Sequence, residues 1–275
     1  RRVLFRSTIN KVDVIRAKEH SLSNGVKVYS VVAGSQEITK LEFIFKAGTF
    51  FQPNTLISNT TNALIESGTK SYSANQLSDG IDFYGSFLEL SADLDFASVK
   101  LYSLNKFLEP TLKYLEEIIK FPTFPDDEFK IHITNKKQKH IINSQKVSVL
   151  AKRKFGEMLF GESHPYGKIV AEVDYDRISV SEIRDFFSKY YSHSNCTIVA
   201  SGNLPSSLYE TIEKYFGNSW SLESVRLERI ESKIISSSIR KNFIHRDDAV
   251  QSALRIGKIL FLFDMDHNAR FANFG

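Results

Sequence analysis

Seven histidines, one cysteine and a few paired carboxylates are the side chains in this sequence that could hold a metal or move a proton. A zinc site needs three or four donors whose spacing lets them converge on one ion. His132 and His140 share one helical stretch but lie eight positions apart, about 12 Å along a helix, too far to bind a single ion together. His193 and Cys196 form a His-x-x-Cys pair. Cys196, however, opens the apolar run Cys196-Thr197-Ile198-Val199-Ala200, where a buried and inert thiol is expected. His164 sits in the loop His164-Pro165-Tyr166-Gly167, where a structural role is expected. Glu116-Glu117 and Asp126-Asp127-Glu128 fall on helical patterns and read as solvated helix ends, the latter favoured by the helix dipole. There is no Gly-x-Ser-x-Gly elbow, phosphate-binding Gly-Lys loop or dinucleotide fingerprint. The 22 Phe and 11 Tyr mostly follow apolar periodicity, which assigns them to a core rather than to a base-stacking surface.

The elements that would position such groups are legible as blocks. Asn24-Gly25 supplies a positive-φ turn into a strand running to Val32, and Lys40 to Gly48 alternates as a second strand that can pair with it. Helical spacing covers Leu56 to Glu66, stopped by Gly68, and Ser73 can cap a further helix ending at Gly85. A hairpin, Ser86 to Ala92 and Phe96 to Leu104, turns at Asp93-Leu94-Asp95. Helices are expected at 107–119, 126–145, 148–160, 180–191 and 206–216, with the strand from Cys196 placed before the last of them. Strands restart at 233–244 and 249–256. The blocks do not alternate strictly, so the expected class is α+β: a mostly antiparallel sheet packed by helices.

The 275 residues are 42% hydrophobic and 25% charged, as in an ordinary folded protein with a substantial core, and disorder is excluded for most of the chain. No apolar stretch approaches the ~18 residues of a membrane span. A single cysteine cannot form an internal disulfide. The net charge is +4, and Arg1, Arg2 and Arg6 supply three of those charges within an opening heptapeptide that reads as the translation of a ligated adapter. Lys and Glu elsewhere read as interspersed, an argument against nucleic acid as a partner. The expected organisation is a tail at 1–19, including 1–7 as the adapter. A first α+β repeat follows at 20–218, then a linker at 219–232 and the cut-off start of a second repeat at 233–275.

Several short motifs occur in a telling order. They are the Leu22-Ser23-Asn24-Gly25 strand start, Phe45-Lys46-Ala47-Gly48, a helix before Ser67-Gly68-Thr69-Lys70, Phe83-Tyr84-Gly85 and His164-Pro165-Tyr166-Gly167. Together they resemble the M16 metallopeptidases, the pitrilysin, insulinase and mitochondrial-processing-peptidase family. The resemblance spans roughly residues 20 to 260 and implies an M16-like repeat with the LuxS/MPP-like metallopeptidase fold. Active members carry His-x-x-Glu-His on the helix before the Gly-Thr-Lys turn. Two His four positions apart face one zinc, the Glu serves as general base, and a third ligand comes from a later helix.

By the family's intervals these positions fall here on Asn59, Asn62 and Ala63, with His140 at the third-ligand position. Ala63 has no donor atom, Asn59 offers a poor neutral ligand, and Asn62 cannot take a proton from water near neutral pH. The resemblance therefore implies a non-catalytic subunit with no catalytic residues, no metal site and no cofactor of its own, zinc being held by an active M16 partner in a heterodimer. It also implies an extended peptide substrate, with Leu88, Glu89, Leu90 and Ser91 as the strand that pairs with it, and a periplasmic setting. The other readings are an active zinc endopeptidase with noncanonical ligands and a purely structural subunit like those of respiratory complexes. Neither nucleic acid nor a membrane span is expected.

Overall fold

The structure, a computed structural model, describes residues 15–218, 220 and 234–259. Six strands form one sheet: β1 (Lys18–Ser21), β2 (Lys27–Val32), β3 (Ile38–Phe45), β4 (Phe87–Ala92), β5 (Ala97–Leu104) and β6 (Cys196–Gly202). Their spatial order is β1-β2-β6-β3-β5-β4. Every pairing is antiparallel except that of β2 with β6. The first two predicted strands are therefore not neighbours, because β6 enters between them: Phe43 lies opposite Ile198, and Ile198 opposite Val28. Strand β1 pairs with β2 around the Asn24-Gly25 turn, where Gly25 has φ +88°. It extends the sheet into what reads from sequence as tail.

Eight α-helices are described: α1 (Ile57–Leu64), α2 (Ala74–Phe83), α3 (Leu108–Lys120), α4 (Asp126–Ser144), α5 (Val147–Phe160), α6 (Asp174–Arg177), α7 (Val180–Tyr190) and α8 (Leu208–Phe216). Helices α2 and α7 begin with capping boxes, Ser73 with Gln76 and Ser179 with Glu182, which satisfy backbone N–H groups at the helix starts. Alternation in β3 sends Leu41, Phe43 and Phe45 into the core. There they meet Val99 and Leu101 of β5, Ile198 of β6, and the apolar faces of α3 (Leu112, Leu115, Ile119), α7 (Ile183, Phe186) and α8 (Ile212, Phe216). The opposite face of the sheet carries half-buried pairs such as Lys40–Glu42 (2.8 Å) and Lys100–Glu89 (2.7 Å). The fold is thus α+β, with a predominantly antiparallel sheet.

The strands expected at 233–244 and 249–256 do not form among the described residues 234–259. Phe243, Val250, Leu254 and Ile256 are each more than 80% exposed, so among the described residues the alternation there meets no apolar partner to bury against. The start of this segment instead follows the last turn of α5. The N–H groups of Ile235 and Ser237 donate to the carbonyls of Phe160 (3.2 Å) and Met158 (2.9 Å), groups that a helix end leaves without internal partners.

Helices α2 and α3 meet where Gly80 faces Tyr114, and a Cβ on Gly80 would fall within the ring's van der Waals envelope. Gly80→Ala is expected to destabilise the fold by about 1–3 kcal/mol, overriding the ~1 kcal/mol that alanine contributes in a helix. In a Tyr114→Leu background, where the clashing ring atoms are gone, the same substitution is expected to stabilise. Urea denaturation of the four proteins checks the change of sign.

Candidate functional site

Helix α1 carries the positions at which a zinc motif would sit. It is short, polar and mostly buried: Ser58, Thr60, Thr61 and Asn62 are all 3% exposed or less. Its start is unusual, with Leu56 in the left-handed region at φ 73°. The Gln52 side chain accepts from the Ser58 N–H (3.1 Å), and the Ser58 hydroxyl donates to the Ala47 carbonyl (2.6 Å). These bonds seat the helix beside the edge of the sheet, against β4 and β5 on one side and α7 on the other.

Asn62, where the resemblance implies a general base, points into the molecule rather than toward solvent. Its Nδ2 donates to the Ser98 carbonyl on β5 (3.3 Å), and its Oδ1 accepts from the Tyr191 hydroxyl (2.9 Å). Tyr191 is fully enclosed, and burial pushes its phenol well above the ordinary range, so it stays a donor. The amide therefore ties β5 to the end of α7 with both ends engaged. Asn59 is exposed and Ala63 half-buried on the same helix.

His140 lies on α4, half-buried, with its Nδ1 3.1 Å from the Arg153 guanidinium and its ring 5.2 Å from that of Tyr175. Burial and the Arg153 charge hold its pKa below the usual value. The Arg153 cation beside Nδ1 opposes a second cation at that nitrogen. The residues present thus do not fit a zinc ion: two positions lack a competent donor, Asn62 is committed to the core, and His140 is paired with arginine. Among the described residues no three His, Cys, Asp or Glu side chains converge on one point.

The other chemistry-bearing residues are structural. The Cys196 thiol is buried, and burial raises its pKa, while His193 Nδ1 lies 2.8 Å from the Trp220 carbonyl. His164 is 4% exposed, accepts the Tyr166 N–H at Nδ1 (3.1 Å) and stacks on Phe160. His132 is lowered to about 4, by burial first and then by Lys136 and Lys139.

The peptide-pairing candidates Leu88, Glu89, Leu90 and Ser91 lie on β4, which has β5 on one side and, among the described residues, ends the sheet on the other. Leu88 and Leu90 pack toward the core, Glu89 pairs with Lys100 on the opposite face, and Ser91 is exposed. What sequence reasoning missed here is the use made of Asn62. Its signal was present in an all-polar helix face that could be buried only with partners.

An antiparallel-dominated sheet with helices on one face, an edge strand beside a short polar helix and a degenerate donor set define a chain with the M16 metallopeptidase fold. Residues 177–260 match the family model described as "Peptidase M16 inactive domain". The mitochondrial-processing peptidase subunit alpha-1 of Dictyostelium discoideum is 24% identical over 214 residues, 76% of this chain and 32% of that protein. A crystal structure of a peptidase M16 inactive domain from Pseudomonas fluorescens is similar with a TM-score of 0.68 and 24% identity, over 76% of this chain and 53% of that one. A protease from Helicobacter pylori is similar with a TM-score of 0.74 and 18% identity, over 81% and 55% of the two chains. The chain thus has the M16 fold and is similar to domains of that family described as inactive. It spans only 32% of the curated relative and a little over half of each solved chain.

The Asn62–Tyr191 pair can be measured. Asn62→Ala is expected to cost about 1–3 kcal/mol, because it strands a buried hydroxyl. Tyr191→Phe in that background is expected to cost less than it does in the parent, since the acceptor is already gone. A double-mutant cycle by chemical denaturation gives the coupling, and strict additivity would show that the bond contributes nothing.

Proposed function

We propose that this chain is a non-catalytic subunit of an M16-type zinc peptidase, pairing with an active M16 partner and helping to bind extended peptide substrates. The observation that carries the reading is the commitment of Asn62 to the core in a helix without zinc donors, directly beside an edge strand. Zinc and the general base then belong to the partner, and this chain holds no metal of its own. The described chain contributes the backbone of β4, on which Leu88, Glu89, Leu90 and Ser91 offer main-chain hydrogen bonds to an extended peptide. In this reading residues 20–218 form a first M16-like repeat and residues 233–275 begin a second. The similarity to a mitochondrial-processing peptidase alpha subunit supports the assignment to the partnered class.

In an antiparallel strand, successive residues direct their N–H groups alternately toward one neighbour and the other. Of Glu89→Pro and Leu90→Pro, one therefore breaks the β5 ladder and lowers the melting temperature, while the other removes a donor from the open side. The variant that stays folded is expected to bind a fluorescein-labelled, alternating polar–apolar 15-residue peptide at least roughly fivefold more weakly, about 1 kcal/mol. Unchanged affinity in that variant refutes the edge as the site. Elemental analysis of the folded chain is expected to give near-zero zinc, and co-expression with a catalytic M16 chain is expected to give a complex whose peptide cleavage is abolished by a chelator. About one tightly held zinc per chain, with cleavage by this chain alone, would overturn the reading.

A further inference from the structure

The charge of this protein is not spread evenly. Between residues 129 and 156 there are seven lysines and one arginine and no aspartate or glutamate. Since the whole chain is only +4, this stretch is +8 and the remainder is −4. It lies within one structural unit, the pair α4–α5, which turns at Gln145 and Lys146; Asp126, Asp127 and Glu128 at the start of α4 and Glu157 near the end of α5 bring the whole unit to +4, with the positive charge concentrated between them.

That unit stands largely apart from the core. Phe129 is its one fully buried side chain and Ile133 packs beside it, but residues 134–160 contribute nothing to the apolar core. Three of the cations have carboxylate partners: Lys130 with Asp127, Lys137 with Asp176 and Glu172, and Lys154 with Glu157. Arg153 turns to His140. Lys136, Lys139, Lys146 and Lys152 are exposed and make no ion pair among the described residues. Like charges gathered on two helices repel one another, and an oppositely charged ligand relieves that repulsion.

We propose that the α4–α5 hairpin is a docking surface for an acidic polypeptide segment, held chiefly by Lys136, Lys139, Lys146 and Lys152. Two observations favour a polypeptide over other polyanions. A nucleic-acid surface of this kind offers exposed aromatic rings for base stacking and arginine forks for phosphate, whereas the two Phe of this stretch, Phe129 and Phe155, are buried and half-buried, it holds no Tyr or Trp, and its single arginine is paired with His140. A membrane-surface helix needs a continuous apolar stripe. The exposed Ile131 and Ile142 share a face of α4, but Asn135 and Gln138 separate them. The remaining match is to alternating carboxylates, with isolated isoleucines giving short apolar contacts between the charges. This surface is independent of the proposed β4 site, so either can fail without the other.

The probe is a fluorescein-labelled 20-residue peptide alternating Glu and Gly, titrated into the chain by fluorescence anisotropy at low and physiological salt. Binding is expected, weakening at least tenfold between the two. The quadruple substitution of Lys136, Lys139, Lys146 and Lys152 to Glu is expected to abolish it, with the thermal melt unchanged. If charge reversal disturbs the helices, the same four positions changed to Gln are expected to weaken it at least tenfold. Changing Lys18, Lys106, Lys113 and Lys189 to Gln removes as much charge elsewhere and is expected to alter affinity by less than twofold. Equal losses in the two Gln sets would overturn the proposal in favour of net charge alone. Tighter binding of a 20-nucleotide single-stranded DNA, or of phosphatidylserine vesicles with no peptide bound, would overturn it in favour of those ligands.

Discussion

The pairing of β3 with β6 is the constraint on which the rest of the molecule depends. The two strands lie some 150 residues apart in sequence, yet β6 forms the seam between the β1–β2 hairpin and the three strands β3–β5–β4. Without it the β1–β2 hairpin, marginal by itself, would be detached from the three strands β3–β5–β4. Everything between Asn105 and Asn195 is one long excursion that leaves β5, lays down α3 to α7 and returns through the centre of the sheet. The helices over the core are therefore fixed by where the chain must come back. The side chains of β3 and β6 facing them, Phe43, Phe45 and Ile198, are completely buried.

That dependence explains what was legible in the sequence. Local signals held: the Asn24-Gly25 turn, the Ser73 cap, the Asp93 turn and the helical spacing of α3, α4 and α7 all lie within a few residues of the structure they specify. The slot occupied by β6 was not legible, because Cys196 to Ala200 advertises a buried strand but names no neighbour. The expected contact of β2 with β3 is the simplest local guess, and a strand arriving from far along the chain displaces it. The strands expected at 233–256 erred for a related reason. Alternation marks a face that could be buried, and the described residues there find nothing to bury it against.

The degenerate motif was legible as an absence, from Ala63 and the two asparagines. What replaced it was not, since hydrogen bonds from Asn62 to Ser98 and from Tyr191 to Asn62 join three distant parts of the chain. A carboxylate held beside a metal must meet solvent and substrate, whereas a carboxamide with two complementary partners can be enclosed. At the position where the resemblance implies a charged general base, the neutral amide of Asn62 serves cohesion instead. The basic character of α4–α5 was overlooked for the opposite reason: a whole-chain total of +4 conceals a segment that is strongly positive.

The free side of β4 has one more consequence. A strand that offers unpaired backbone groups to a peptide offers them equally to another copy of itself, so at high concentration two sheets could zip together edge to edge. Glu89 stands in the middle of that edge, and its partner Lys100 lies on the inner neighbour β5, leaving the carboxylate 43% exposed. When two copies of β4 meet antiparallel about their centres, the two Glu89 side chains come close together, and like charges disfavour the pairing. The edge is thus biased against pairing with its own kind.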